Sequence, residues 1–157
     1  MPGHLIRRAQ QLSNAIFAEE CGRYDLTSVQ FAALFAVRAA DEIDATRLAE
    51  QIAFDRATIG DVIDRLETKG WVSRTGSPTD RRVKLIVLTP EGARLLEEVE
   101  PAVARVQARL LAVFTAEEQA TAMALLKRLD RLDEPALETA LPITKPRRPD
   151  GPARRVR

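Results

Sequence analysis

Aromatic side chains are scarce in this chain, at 4% of 157 residues with a single tryptophan and a single tyrosine. A core so poor in rings must be filled by Leu, Ala and Val. At 45% hydrophobic content there is enough of them for one helical domain of this length. Cysteine is rarer still: Cys21 stands alone, which excludes an intrachain disulfide and fits a reducing compartment. That cysteine and the one histidine, His4, do not by themselves make a metal site. The acidic residues are dispersed along helices, there is no glycine-rich phosphate loop, and no nucleophile stands with a base beside it. The sequence therefore offers no enzyme, no metal and no cofactor. No apolar run approaches the roughly 18 residues of a membrane span. The opening residues, Met1 to Arg8, lack the apolar segment of a secretion signal, so a cytoplasmic location with no membrane partner is expected.

Excess charge is lacking too, since the formal net charge is +1. The balance hides an uneven distribution. Residues 144–157 carry six cations (Lys145, Arg147, Arg148, Arg154, Arg155, Arg157) against Asp150, and residues 69–84 carry five (Lys69, Arg74, Arg81, Arg82, Lys84) against Asp80. An acidic body with two basic segments is compatible with a nucleic-acid partner, although net charge alone does not argue for one.

Helical spacing opens the chain. Leu5, Ala9, Leu12 and Ile16, flanked by Ile6 and Phe17, give a wide apolar face over residues 4–22, with Gly22 as the stop. Thr27 starts a second helix with Gln30 three residues on, a capping box. Val29, Phe31, Ala32, Leu34, Phe35 and Val37 make that helix apolar nearly all round, and therefore central. Residues 41–44 read as a break. Asp44 then caps a short helix over 45–53, and Asp55 caps a fourth whose inward stripe is Ile59, Val62, Ile63 and Leu66. Two short helices joined by a tight turn predict a helix-turn-helix.

Residues 54–92 are the most informative stretch. The capped helix stops at Gly70, and a strand follows from Trp71 to Thr75. A polar loop leads to Asp80-Arg81-Arg82, a second strand covers 83–88, and Thr89-Pro90 starts another helix. A helix followed by a basic two-stranded ribbon grips duplex DNA, the helix in the major groove and the ribbon tip on the backbone or minor groove. The helix starting at Pro90 is predicted to reach residue 114 along a seam of Leu95, Leu96, Val99, Val103, Val106, Leu110 and Val113. Pro101 is expected to kink it or break its register. At 25 residues it would be about 37 Å long, too long for a small core to cover. Its seam, with the first and last helices, is expected to be buried in a second copy of the chain; the alternative is a helix folded back on its own chain. Thr115 and Glu118 form another capping box before a last helix marked by Met123, Leu125, Leu126, Leu129 and Leu132. Residues 136–157, rich in proline and arginine, are expected to be a disordered tail. The fold class is thus mainly α with a small β-wing, in a single unit over 1–135.

The block from Thr27 to Gly92 resembles the multiple-antibiotic-resistance regulator (MarR) family of winged-helix proteins. Asp55-Arg56, Asp64-Arg65-Leu66-Glu67, Gly70-Trp71-Val72 and Asp80-Arg81-Arg82, followed by Leu88-Thr89-Pro90-Glu91-Gly92, carry the resemblance. It implies a homodimer through the helices over 4–22 and 90–133, and a winged helix-turn-helix over 27–89. It also implies two recognition helices in successive major grooves of a pseudo-palindromic operator, and control by a small effector in a cleft between the dimer and DNA-binding regions. The expected activity is that of a transcriptional repressor. Arg82 takes the wing-tip position that the family puts into the minor groove, and Asp80 looks like its anchor; alternatively the pair only shapes the turn.

On the fourth helix Arg56, Ala57, Thr58, Gly60, Asp61 and Arg65 lie off the apolar stripe. Arg56 and Thr58 suit phosphate or base-edge contacts, and Gly60 permits close backbone approach. Asp61 suits a cytosine amine or weakens non-specific binding. Arg65 is expected to contact DNA or to pair with Asp61, Asp64 or Glu67. Thr46 and Arg47 are candidate phosphate contacts, with a merely solvated Arg47 as the alternative, and Arg74 joins the DNA set on the ribbon. The segments around His4, Arg7, Arg8 and Phe31 are similar to family members that control aromatic-acid breakdown. These residues are therefore candidates for holding an aromatic carboxylate or its thioester. Two other readings stay open: a redox switch at Cys21, against an inert buried thiol, and a winged-helix protein-interaction module that would not need Arg81 or Arg82.

Overall fold

The computed structural model describes residues 1–80 and 82–130, with Arg56, Ala57 and Asp130 described by backbone only. Local chemistry sets most of the element boundaries. Helix α1 spans Pro2–Cys21 and passes through a 3-10 turn, Gly22–Tyr24, to α2, Ser28–Ala40. The capping box on α2 is present in both directions: Gln30 N donates to Thr27 Oγ1 at 3.2 Å and Thr27 N donates to Gln30 Oε1 at 3.1 Å. Helix α3 spans Ala45–Gln51, capped by Asp44, whose Oδ1 accepts from Arg47 N at 3.0 Å. It ends two residues before the predicted boundary. Ala53 takes the left-handed conformation at φ 53°, which no helix continues through. Helix α4, Arg56–Thr68, follows after the tight turn.

Strand β1, Ile43–Asp44, lies where only a break was expected. Two residues carry no periodic signal, and this strand exists because Ile43 pairs with Ile86 and Asp44 with Leu85. Strands β2, Val72–Gly76, and β3, Lys84–Leu88, form the ribbon, and the antiparallel sheet runs in the order β1-β3-β2.

Helix α5, Pro90–Leu111, starts at the Thr89 cap and runs unbroken through Pro101. Proline removes one backbone bond, yet the expected break in register is absent. Leu96, Val99, Ala102 and Val106 stay buried on one stripe across it. That stripe packs on α1 within the same chain, alongside Ile16, Phe17 and Cys21. Ion pairs rim the seam: Glu20 accepts from Arg105 Nε at 2.8 Å and from Arg109 at 2.9 Å, and Glu19 accepts from Arg109 at 2.7 Å. Arg105 and then Arg109 hold the Glu20 carboxyl below its ordinary range.

The fully buried Leu34, Leu48, Ile59, Ile63, Leu66 and Ile86 tie α2, α3, α4 and β3 into the same core. Each such side chain contributes about 1.5–3 kcal/mol. The chain divides into two compact units, Met1–Val113 and one beginning at Phe114. The described part of the second is α6, Ala116–Asp130, with its Thr115/Glu118 box formed. Leu5, Ile6 and Leu12 on α1 and Met123, Leu125, Leu126 and Leu129 on α6 are exposed. No helix among the described residues is long and apolar enough to cross a membrane.

Candidate nucleic-acid interface

Helix α4 is fixed at both ends. At its start the Asp55 carboxylate accepts from Thr58 N at 2.8 Å and from the Thr58 hydroxyl at 2.7 Å. At its end Gly70, at φ 72°, closes a Schellman motif: Gly70 N donates to Glu67 O at 2.9 Å and Trp71 N to Leu66 O at 3.0 Å. Ile59, Ile63 and Leu66 bury one face. Thr58, Asp61 and Arg65 are left exposed on the opposite one, with open space around Gly60. That is the geometry of a recognition helix, although the Thr58 hydroxyl proton is engaged by the cap.

The ribbon presents its tip just as openly. Ser77 Oγ accepts from Thr79 N and Asp80 N, and Val83 N donates to Asp80 O at 3.0 Å, which shapes the loop. Asp80 Oδ1 accepts from Arg82 N at 3.0 Å and from Arg82 Nε at 3.3 Å. The Arg82 side chain is otherwise 92% exposed, so Asp80 holds one edge of the guanidinium while its terminal nitrogens face solvent. These contacts shape the turn and orient the Arg82 guanidinium. Arg81, the side chains of Arg56 and Ala57, and the tail from residue 136 lie outside the described residues.

Arg74, expected as a DNA contact, is engaged at the protein surface by an ion-pair network of its own chain. Its guanidinium bridges Asp64 and Glu67 of α4, binding the ribbon to the helix. Asp64 foremost pushes its pKa further up. The same carboxylates were expected to pair with Arg65. They do not, because residues one and two apart on a helix do not face each other, whereas a strand crossing below can reach both. Among the described residues Arg65 has no ion-pair partner. Arg47 lies 3.8 Å from Asp44 and is 79% exposed, and Thr46 beside it is half-buried.

A cleft of about 620 Å³ opens between the α1–α2 junction and α4. Phe17, Leu26, Phe54 and Val62 supply its apolar wall, and Asn14, Gln30, Thr58, Asp61 and Arg65 its polar groups. Among the described lining residues Arg65 is the only cation. A smaller cleft of about 330 Å³ shares Asp25, Thr27, Gln30 and Arg65 with it and adds Thr68 and Lys69. None of the expected ligand residues lines either cleft. His4, Arg7 and Arg8 are exposed on the first turns of α1, and Arg8 lies about 9 Å along the axis from Asn14. Phe31 packs against Phe17 and Phe35, with ring centroids 5.9 and 6.0 Å apart, one layer behind the wall. Arg65 was not singled out for a ligand in the sequence. Its signal, a helix arginine lacking a partner, depends on where β2 sends Arg74.

Cys21 is fully buried, and burial first, then Glu20, raises its thiol pKa. A thiol so placed is a poor nucleophile. In the folded protein Cys21 is expected to react with a disulfide reagent only as fast as the structure opens. Labelling at the rate of an exposed thiol, measured before and after denaturation, would revive the redox reading.

Comparison with known proteins gives one answer. The MarR family model matches residues 26–84. The chain is 33% identical over 134 residues to the HTH-type transcriptional repressor NicR of Pseudomonas putida, covering 85% of each. It superposes with a TM-score of 0.80 and 32% identity on Bordetella bronchiseptica BpsR, covering 85% of this chain and 95% of that one. That structure is described as a mechanism for regulation of DNA binding by 6-hydroxynicotinic acid. A serine mutant of Escherichia coli MarR bound to operator DNA matches with a TM-score of 0.76 and 33% identity, over 81% of this chain and 91% of that one.

Proposed function

This chain belongs to the MarR family, and on that premise we propose that it is a dimeric, sequence-specific DNA-binding transcriptional regulator. We read it as a repressor released by a small aromatic acid or its thioester. The observation that carries this reading is the pairing of two features on one helix. The exposed face of α4, beside the exposed guanidinium of Arg82, suits a major groove and the minor groove next to it. The same helix, through Thr58, Asp61, Val62 and Arg65, forms one wall of the cleft. Relatives named for repression, for operator binding and for control by a hydroxylated pyridine acid support it.

The exposed Leu5, Ile6 and Leu12 of α1 and the exposed leucines of α6 supply the apolar surface that a second copy would cover. Two-fold symmetry then sets the two copies of α4 against half-sites about 34–36 Å apart. A planar acid fits a cleft of this size. Its ring would lie on Phe17, Phe54 and Val62, with its carboxylate on Arg65, where a charge-assisted bidentate bond is available. Bound there, it favours dimers whose recognition helices no longer match the half-sites, to the extent that it prefers them over the DNA-binding form.

Arg65→Gln tests the assignment without DNA. Calorimetric titration with a panel of aromatic acids should find an acid that binds the wild type. The variant should lose about 10- to 100-fold in affinity for it, as expected for a hydrogen bond to a charged group, with its thermal midpoint unchanged. Equal affinity in the two proteins would place the carboxylate elsewhere.

A further inference from the structure

We infer that Lys69 and Asp25 form a clasp that carries the effect of cleft occupation to the recognition helix. The inference rests on the ligand reading above but concerns different residues. Lys69 is the C-cap of α4. Its ammonium donates to the backbone oxygen of Asp25 and lies 2.7 Å from the Asp25 carboxylate. It also lies 4.6 Å from the centre of the Trp71 ring. The Lys69 side chain is only 26% exposed, held by Asp25 and the Trp71 ring, while the Asp25 side chain is 91% exposed and faces solvent.

Asp25 sits at the joint on the other side. It ends the 3-10 turn between α1 and α2 in the left-handed conformation, φ 51° and ψ 42°, with its N–H on Gly22 O. Aspartate is among the few non-glycine residues that enter that region readily, so the joint is a well-defined turn. The clasp therefore ties the joint at the end of helix α1 to the C-cap of α4. From there the tie continues into the wing. Trp71 opens the ribbon, and its carbonyl accepts from Thr89 N at 3.1 Å, at the start of α5.

The position of the clasp relative to the clefts gives it a regulatory meaning. Asp25 and Arg65 line both clefts, and Lys69 lines the smaller one. A carboxylate that reaches Arg65 places a second anion near Asp25, within the field of the same ammonium. Lys69 then has two anions to choose between, and each bond it makes to the ligand is one withdrawn from Asp25. Loosening that bond frees the C-terminal end of α4, and with it the root of the wing, from the α1–α2 joint. A pair of purely local significance would be an ordinary exposed ion pair worth little, and its loss would leave the regulation intact.

Lys69→Met keeps the aliphatic stem on Trp71 and removes the charge; Asp25→Asn keeps the backbone acceptor. Each variant and the wild type would be titrated with 6-hydroxynicotinic acid by calorimetry, and with a duplex that the wild type selects from a random-sequence pool, with and without saturating acid. Hydrogen exchange over residues 64–74 would be followed in DNA-free protein. In the wild type the acid is expected to weaken duplex binding by a factor within the usual 5- to 150-fold range of such couplings. In both variants that factor should fall below about threefold, with the acid still bound through Arg65 though more weakly in Lys69→Met, and amides near Leu66 to Trp71 should exchange faster, as is expected of acid-bound wild type. Variants that retain the wild-type factor overturn the clasp, as does a wild type that binds the acid with no change in duplex affinity. A wild type that binds none of this acid defeats the effector assignment instead. The clasp is then decided by exchange alone, and unaltered exchange in both variants overturns it.

Discussion

Replacing Arg82 by alanine is expected to weaken operator binding by at least about 30-fold while leaving the fold untouched. The side chain is 92% exposed and its described contact is Asp80, so truncation removes no packing and only a surface ion pair worth at most about 1 kcal/mol. What it removes from the complex is larger. An arginine at a ribbon tip enters the narrow, strongly negative minor groove as a planar fork, and loss of one such contact costs about 1–3 kcal/mol. A dimer loses two, so the slope of log K against log salt should flatten by roughly 2. Arg82→Lys should recover part of the affinity through charge but not the fork. Asp80→Asn should cost less than Arg82→Ala, because it frees the guanidinium without deleting it. Duplex titrations at several salt concentrations measure all three. Arg82→Ala binding with wild-type affinity and salt slope would leave the wing without a role in DNA contact and favour a protein-interaction module.

The second large effect is on stability. Gly92→Ala should lower the thermal midpoint by roughly 10 °C, corresponding to overpacking of about 3 kcal/mol. A methyl group at this position would lie 2.1 Å from the Trp71 carbonyl oxygen and 2.9 Å from Leu88 Cδ1. The first is backbone and cannot swing away. That oxygen also accepts from Thr89 N, while the Thr89 hydroxyl donates to Gly70 O at 2.6 Å and accepts from Gly92 N at 3.1 Å. The end of α4, the root of the ribbon and the start of α5 thus meet at one point, and a shift there disturbs all three. Duplex affinity should therefore fall as well, even at temperatures where the variant is folded. A melting curve within a degree or two of wild type would mean that the junction yields more readily than its hydrogen bonds imply.

The residues that were legible in the sequence are those whose partners lie close along the chain. Thr27 with Gln30, Asp55 with Thr58, Thr89 with Gly92, and Gly70 after α4 are caps decided within four residues. The ribbon and its arginine tip were legible for the same reason. The illegible features depend on distant pairing. β1 is a strand only because β3 runs past it, and Pro101 spares the α5 register because α1 holds the stripe on either side. The division of labour between Arg65 and Arg74 could not be read from α4 alone. The strand that brings Arg74 to Asp64 and Glu67 decides which arginine lacks an ion-pair partner among the described residues. Gly92 likewise looked like a matching motif residue, and its need for a bare α-carbon appears only once Trp71 is folded against it. The ligand residues expected on α1, His4, Arg7 and Arg8, were placed by resemblance, for a cleft between the dimer and DNA-binding regions, and they line neither of the clefts described within one chain.

One experiment bears on the central claim directly: fluorescence anisotropy of DNA from just upstream of the protein's own gene, against a scrambled duplex, repeated with aromatic acids and their thioesters added. The expected result is tight, salt-dependent binding to the upstream duplex, weaker binding to the scrambled one, and release by at least one acid. Equal binding to both duplexes, undisturbed by any compound in the panel, would contradict a ligand-released, sequence-specific regulator.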